Sequence, residues 1–155
     1  LCASSMGFTD QDRLCIPVPL YHCFGMVMGN LACLSRGATA IYPNDAFDPL
    51  ATLQTVQDEK CTGLHGVPTM FIGELDCAQF DEFDLSSLRL AVTGAAPVPV
   101  SLVEQMREEL GFEVVVTAYG LTETCGVVTI CRPDDSAERI SHTSGCAMDA
   151  GGDVD

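Results

Sequence analysis

A polar loop follows an apolar run near residue 117, and its side chains are of types that bind ligands. The segment TAYGLTETCG occupies residues 117–126 and follows the apolar letters EVVV. The ring of Tyr119 can lie against a planar ligand such as a purine. The hydroxyl of Thr122 can bond a phosphate oxygen, and the carboxylate of Glu123 suits Mg²⁺ that bridges phosphates. Because these residues are contiguous where an apolar strand is predicted to end, they favour a nucleotide site. The alternative interpretation is a core aromatic at Tyr119 and the start of a helix at Thr122 and Glu123.

A second loop of small residues follows another predicted strand. RLAV is followed by Gly94, Ala95, Ala96 and Pro97. Small side chains let another group approach the backbone closely. An ordinary connection between a strand and a helix is the alternative interpretation of this loop.

The elements that would position both loops alternate along the chain. We predict strands at RLCIPVPLY, ATAIYP, CTGLHGV, RLAVTG and EVVVTAYG, and helices over residues 25–34 and at FDPLATLQTVQDEK, PTMFIGELD and SLVEQMREELG. Several strands, ATAIYP among them, are apolar throughout, which is typical of buried parallel strands. The sequence therefore predicts an α/β fold, a mainly parallel sheet with helices on both faces.

Two of the predicted helices carry start signals and an apolar face. Asp48 and Pro49 are typical of an N-cap and a first helical residue, and residues 50, 53 and 56 are predicted to form one buried face. Ser101 and Glu104 have the spacing of a capping box. Residues 102, 103, 106 and 110 are predicted as the apolar face of that helix, which Gly111 would close.

Composition excludes several functional classes. The 155 residues are 47% hydrophobic and carry a net charge of −15, which argues against nucleic acid and anionic membrane surfaces as partners. No apolar run reaches the roughly 20 residues of a transmembrane helix. The nine Cys show no Cys-x-x-Cys spacing, so reduced thiols in a cytoplasmic protein are expected rather than a zinc cluster or a disulfide framework.

The segment TAYGLTET resembles the Tyr-Gly-x-Thr-Glu signature of the adenylate-forming, or AMP-binding, superfamily, which includes acyl-CoA synthetases, peptide-synthetase adenylation domains and luciferases. PVPLYHCFG, GVPTMF and LSSLRLAVTGAAPVPVSLVEQMRE are similar to three further segments of that superfamily, in the same order. The four matches run from residue 16 to residue 123. The chain looks most like actinobacterial fatty-acyl-CoA ligases, including those that act on steroid-ring propanoate intermediates.

The resemblance implies a role for each matching residue. Thr122 would contact the α-phosphate of ATP, Glu123 would ligate Mg²⁺, and His22 would lie near the carboxylate being activated, with a structural hydrogen bond as the alternative. The implied nucleotide-binding residues are Gly94, Ala95, Ala96, Pro97, Thr117, Ala118, Tyr119, Gly120, Leu121 and Thr122; the implied acyl-pocket residues are His22, Gly94 and Gly120. His65 and His142 are interpreted as structural.

The implied activity is that of an ATP-dependent acyl-CoA ligase of fatty acid metabolism, with ATP, Mg²⁺ and coenzyme A. We expect residues 1–140 to be a fragment of its large N-terminal domain and 141–155 to be a truncated tail without regular structure. The phosphate loop and the C-terminal domain of the superfamily are missing, so we expect the 155 residues alone to be inactive. A homodimer of the parent protein is left open.

Two other functional classes fit parts of the sequence. A flavodoxin-like α/β nucleotide-binding module without catalysis would make the Tyr119–Glu123 loop a coincidence, and no Gly-x-Gly-x-x-Gly or Walker loop supports another nucleotide mode. A hydrolase with a Cys or Ser nucleophile would need an elbow such as Gly-x-Ser-x-Gly, which does not occur.

Overall fold

The structure, a computed structural model, describes residues 2–143 and 145–147. Its centre is a seven-stranded sheet. The strands are β1 (Arg13–Cys15), β2 (Thr39–Ile41), β3 (Gly63–Gly66), β4 (Leu90–Gly94), β5 (Val114–Tyr119), β6 (Thr129–Ile130) and β7 (Cys146–Ala147), in the order β2-β1-β3-β4-β5-β6-β7. The first five pair in parallel, and β6 and β7 add as antiparallel strands. The predicted mainly parallel sheet is confirmed.

Helices connect the strands. They are α1 (Cys2–Ser5), a π-helix (Phe24–Leu31) that continues into α2 (Ala32–Arg36), α3 (Pro49–Glu59), α4 (Pro68–Leu75), α5 (Val100–Glu108) and α6 (Ala137–His142), with short 3-10 turns at Phe80–Glu82 and Thr122–Thr124. None of the helices that the structure describes combines the length and the apolar composition that crossing a bilayer requires.

The two faces of the sheet are covered by different helices, as predicted. Successive side chains of a strand point to opposite faces. On β3, the ring of His65 contacts Phe24 of the π-helix, whereas a Cβ at the next residue, Gly66, would lie 3.0 Å from the ring of Phe71 in α4. The π-helix therefore covers one face of β3, and α4 covers the other.

Two helix predictions have opposite outcomes. Asp48 caps α3 as expected, because its Oδ1 accepts a hydrogen bond from the backbone N–H of Ala51 at 3.0 Å. The capping box at Ser101 is wrong. Pro99 has the extended backbone of an N-cap, so α5 begins at Val100, and the amides of residues 102 and 103 donate to the carbonyl of Pro99.

Burial corrects two further expectations. The residues predicted as the apolar face of α5 are all buried, but Leu50 on α3 is 45% exposed, and the buried face there is formed by Thr52, Leu53 and Val56. The strand predicted at ATAIYP is β2, which lies at the edge of the sheet and is exposed or half-buried instead of buried. An edge strand has a neighbour on one side only, so apolar letters do not ensure burial.

Regular structure extends past residue 140. Helix α6 ends at His142, and Cys146–Ala147 pairs with β6. The rest of the predicted tail, residues 148–155, lies outside the described residues.

Candidate active site

The site is built on the carboxyl ends of β4 and β5. Gly94 and Ala118 are the last paired residues of these neighbouring strands. Directly after β4 the chain turns through Ala95, whose φ of 64° lies in the left-handed region. A non-glycine residue there is strained by roughly 1–3 kcal/mol, which persists only where surrounding structure imposes it. The Gly-Ala-Ala turn is thus held in a fixed, unusual conformation at the carboxyl end of β4.

The loop after β5 is fixed by its own hydrogen bonds. The N–H of Val128 donates to the carbonyl of Tyr119 at 2.7 Å and closes the loop at its base. Within it, the N–H of Leu121 donates to the Oγ1 of Thr124 at 3.0 Å, and the hydroxyl of Thr124 donates to the carbonyl of Leu121 at 2.9 Å. Thr122 and Glu123 lie between these anchored residues, so their backbone position is set before any ligand binds.

Gly120 is required by close packing of two backbone segments. A Cβ added there would lie 1.9 Å from the carbonyl oxygen of Gly126 and 2.7 Å from the Cα of Val127. No side chain fits without moving the returning strand of the loop.

Two pockets open at the carboxyl ends of β4 and β5. The α6 pocket, of about 430 Å³, lies between the Ala95–Val98 turn, the end of β5 and the last residues of α6. The π-helix pocket, of about 340 Å³, lies between the start of the π-helix, the end of β4 and residues 120–123. Ala95, Ala118 and Gly120 line both pockets and form the strip where the pockets meet.

Every site residue implied by the resemblance lines one of the two pockets. The α6 pocket contains Ala95, Ala96, Pro97, Thr117, Ala118, Tyr119 and Gly120; the π-helix pocket contains His22, Gly94, Ala95, Ala118, Gly120, Leu121, Thr122 and Glu123. Tyr119 is 50% exposed, so part of its side chain is accessible to a ligand. The structure thus brings these residues together, but it divides them between two cavities.

His22 has a defined protonation pattern at the mouth of the π-helix pocket. Its Nδ1 lies 3.1 Å from the backbone N–H of Phe24, which donates to it. In the neutral ring the proton is therefore on Nε2, which remains available as a donor. The same hydrogen bond satisfies the backbone N–H of Phe24, the first residue of the π-helix.

Several lining residues have no counterpart in the sequence expectations. In the π-helix pocket they are Cys23, Phe24, Met28, Thr93 and Gly126; in the α6 pocket they are Val98, Ile140, Ser141, His142 and Thr143. Proximity to PLYHCFG was a signal for Phe24 and Met28. The α6 residues reach the site only through tertiary packing, which a local pattern does not reveal. His142, interpreted as structural, is exposed and lines the α6 pocket, with its Nδ1 2.8 Å from the carbonyl of Glu138.

His65, by contrast, lies in the core as interpreted. It is fully buried, and burial lowers its pKa to about 4, against the smaller opposing effect of a hydrogen bond to the carbonyl of Met28. The ring is thus neutral at physiological pH.

Charge in the two pockets is sparse. Among the described residues that line them, Glu123 is the one carboxylate, and none is Lys or Arg. No group of three or more His, Cys, Asp or Glu side chains in the described part of the chain could hold a metal ion.

Comparison with known proteins identifies the family. The model of the AMP-binding enzyme family matches residues 1–153. The chain is 50% identical over 144 residues to 3-[(3aS,4S,7aS)-7a-methyl-1,5-dioxo-octahydro-1H-inden-4-yl]propanoyl:CoA ligase of Mycobacterium tuberculosis, covering 92% of this chain and 28% of that protein. It is 49% identical over 146 residues to YngI of Bacillus subtilis, provisionally named an acyl-CoA synthetase, covering 94% of this chain and 26% of YngI.

A solved structure shows the same fold. The crystal structure of the anthranilate CoA ligase AuaEII in complex with anthranoyl-AMP superposes with a TM-score of 0.84 and 26% identity, over 94% of this chain and 28% of that chain. The chain spans about a quarter of the length of the curated relatives it matches. Because that family model matches nearly its whole length, this chain belongs to the AMP-binding enzyme family.

Proposed function

We propose that the parent protein is an AMP-forming acid–CoA ligase, which activates a carboxylic acid as an acyl-adenylate and transfers the acyl group to coenzyme A. The observation that carries the proposal is the pair of pockets that meet at Ala95, Ala118 and Gly120. Adenylation requires two ligands to react at a single point, and two cavities that share one wall can hold them there.

The α6 pocket suits the nucleotide. The half-exposed ring of Tyr119 would lie against the adenine, and the backbone of the Ala95–Pro97 turn would line the other side of the base. The α-phosphate would then reach the shared strip, within reach of the hydroxyl of Thr122. Support comes from the small residues on that strip, which leave the backbone accessible.

The π-helix pocket suits the acid. Phe24 and Met28 supply an apolar wall, and His22 stands at its polar side with Nε2 available to donate to a carboxylate. A carboxylate oxygen then attacks the α-phosphorus, and the bond to pyrophosphate breaks. In a second step the thiol of coenzyme A attacks the acyl carbon, and AMP leaves.

Glu123 fits a magnesium ion that is bound mainly by phosphates. Mg²⁺ in nucleotide enzymes is commonly held by one or two carboxylates together with substrate phosphates and water. Glu123 is exposed in the π-helix pocket beside Thr122, so it can supply one such oxygen. The bound ion would supply positive charge to the phosphate oxygens in the transition state.

The proposed substrate class is supported by the name of one relative and by the pocket. One relative's name states a fused-ring propanoate, and the wall formed by Phe24 and Met28 accepts apolar groups. We therefore propose a fatty or steroid-derived acid. The cytoplasm is the proposed location, because the seven cysteines whose side chains the structure describes are free thiols.

The strand order does not decide between this proposal and a flavodoxin-like binding module. The five parallel strands have the order 2-1-3-4-5, which flavodoxin-like folds share. In those folds the ligand binds at the switch between β1 and β3. Here the paired pockets lie at the ends of β4 and β5, which favours the ligase.

The experiment is pyrophosphate release by the full-length parent with ATP, Mg²⁺ and a panel of carboxylic acids that includes fatty acids and fused-ring propanoates. We expect release that depends on the acid, and acyl-CoA when coenzyme A is added. Nucleotide binding without acid-dependent release from any acid would contradict the proposal. The molar mass of the same preparation, measured in solution, tests the homodimer, which stays a prediction.

A further inference from the structure

A buried histidine lies directly behind the wall of the π-helix pocket. His65 on β3 is fully buried, and its Nε2 lies 3.0 Å from the carbonyl oxygen of Met28, in the middle of the π-helix. Because the carbonyl can only accept, Nε2 carries the proton and donates. A histidine at this depth is thus bonded to the backbone of the helix that lines the pocket.

Ring packing adds a second contact with the same helix. The ring of His65 lies 5.1 Å from that of Phe24 at an interplanar angle of 36°, and 6.1 Å from that of Phe8 at 20°. Phe24 and Met28 both line the π-helix pocket and are almost entirely buried. His65 therefore contacts the same two residues, Phe24 and Met28, that form the apolar wall of the pocket.

The π-helix needs such an anchor more than an α-helix would. π-helical hydrogen bonding is rare and occurs mostly as single turns at functional sites, yet here it extends over eight residues. The helix also sits close to its surroundings, since a Cβ at Gly25 would lie 2.4 Å from the carbonyl oxygen of Pro19. A small rotation would move Phe24 and Met28 together and change the width of the pocket.

We propose that His65 is a positioning residue for acid selection: its hydrogen bond to Met28 and its packing on Phe24 fix the π-helix and so set the width of the acid pocket. This inference rests on the proposed function, because the pocket must hold the acid. It assigns His65 no contact with the substrate.

Two variants separate the hydrogen bond from the ring packing. His65→Phe keeps an aromatic ring against Phe24 but removes the donor to Met28, whereas His65→Gln replaces the donor without the ring. In the full-length parent we expect His65→Phe to raise KM for the preferred acid about tenfold, the usual scale of one lost hydrogen bond. KM for ATP should change less than about twofold, because neither Phe24 nor Met28 lines the α6 pocket.

His65→Gln should restore part of the loss in acid KM and should keep the order of preference among acids of different width. Phe71→Leu is the matched control, because Phe71 is equally buried but packs on the opposite face of β3. It should lower thermal stability without changing the ratio of acid KM to ATP KM. If His65→Phe does not fold, His65→Asn, too short to reach Met28, is measured in the same way.

The inference is overturned if the donor-lacking variant keeps wild-type acid KM and preference, or if kcat and both KM values change in parallel as they do in Phe71→Leu. It is also overturned if the acid KM of His65→Gln is as high as that of His65→Phe. The wild-type control distinguishes this from failure of the proposed function, because a parent without acid-dependent pyrophosphate release fails before any variant is compared.

Discussion

Gly120→Ala tests the strip where the two pockets meet. The added Cβ would lie 1.9 Å from the carbonyl oxygen and 2.3 Å from the carbonyl carbon of Gly126, and both are backbone atoms that cannot rotate away. The loop would have to move by more than 1 Å, since real Cβ contacts are almost never shorter than about 3 Å. Overpacking of this kind costs roughly 1–3 kcal/mol. Because Gly120 borders both pockets, we expect kcat/KM to fall about 5- to 150-fold for ATP and for the acid alike.

The assay is steady-state pyrophosphate release by the full-length parent, with each substrate varied in turn. Gly73→Ala in α4 is the matched control, because its added Cβ would lie 3.5 Å from the nearest atom, in the ring of Pro49. An Ala inside a helix stabilises by about 1 kcal/mol relative to Gly. Wild-type kcat/KM in folded Gly120→Ala protein would refute the assignment of the strip, as would a loss of the same size in Gly73→Ala.

Three further predictions concern charged groups. Glu123→Gln should lower kcat/KM by an amount that corresponds to several kcal/mol of lost transition-state stabilisation, and it should raise the Mg²⁺ concentration needed for half-maximal rate. The control Glu104→Gln, at an exposed position on α5, should change neither quantity. Burial raises the pKa of the Glu74 carboxyl well above its usual range, and among the described residues neither of its oxygens has a hydrogen-bond partner. The free energy of unfolding should therefore fall as pH rises above about 4.3, and the urea midpoint of Glu74→Gln should be higher and should depend less on pH. Burial alone would raise the pKa of Asp12, but hydrogen bonds led by that from Arg89 lower it to about 2. The ionised Asp12 therefore stabilises the fold above about pH 4, and this contribution is lost as pH falls through 2. Asp12→Asn should cost roughly 2 kcal/mol of unfolding free energy at pH 7, and an unchanged urea midpoint would contradict the ion pair.

Local signals predicted those parts of the fold that depend on short-range chemistry. The cap at Asp48 and the alternation of strands and helices are predictable from the sequence, because propensity, capping and apolar periodicity act within a few residues. The burial of Leu50 and of β2 was predicted wrongly, because burial depends on which element packs against a residue. Ser101 was misassigned because the adjacent Pro99 already had the backbone that an N-cap requires.

The candidate site was predicted in its residues but not in its shape. The two loops could be named because each follows a strand, yet the division into two pockets depends on α6 and the π-helix, which pack there from distant parts of the chain. The burial of Glu74 and the hydrogen-bond partner of His65 were equally hidden, since a single polar letter in an apolar segment does not reveal what packs against it. The π-helix itself has no local signal that distinguishes it from the helix expected over residues 25–34.

The central claim is that nucleotide and acid bind in separate pockets and meet at Ala95, Ala118 and Gly120. A crystal structure of the full-length parent with a non-hydrolysable acyl-adenylate analogue tests it most directly. The account predicts adenine against the ring of Tyr119 in the α6 pocket, the acyl group against Phe24 and Met28, and the linking phosphate mimic at the strip. An analogue bound with its two ends exchanged, or bound away from the ends of β4 and β5, would contradict it.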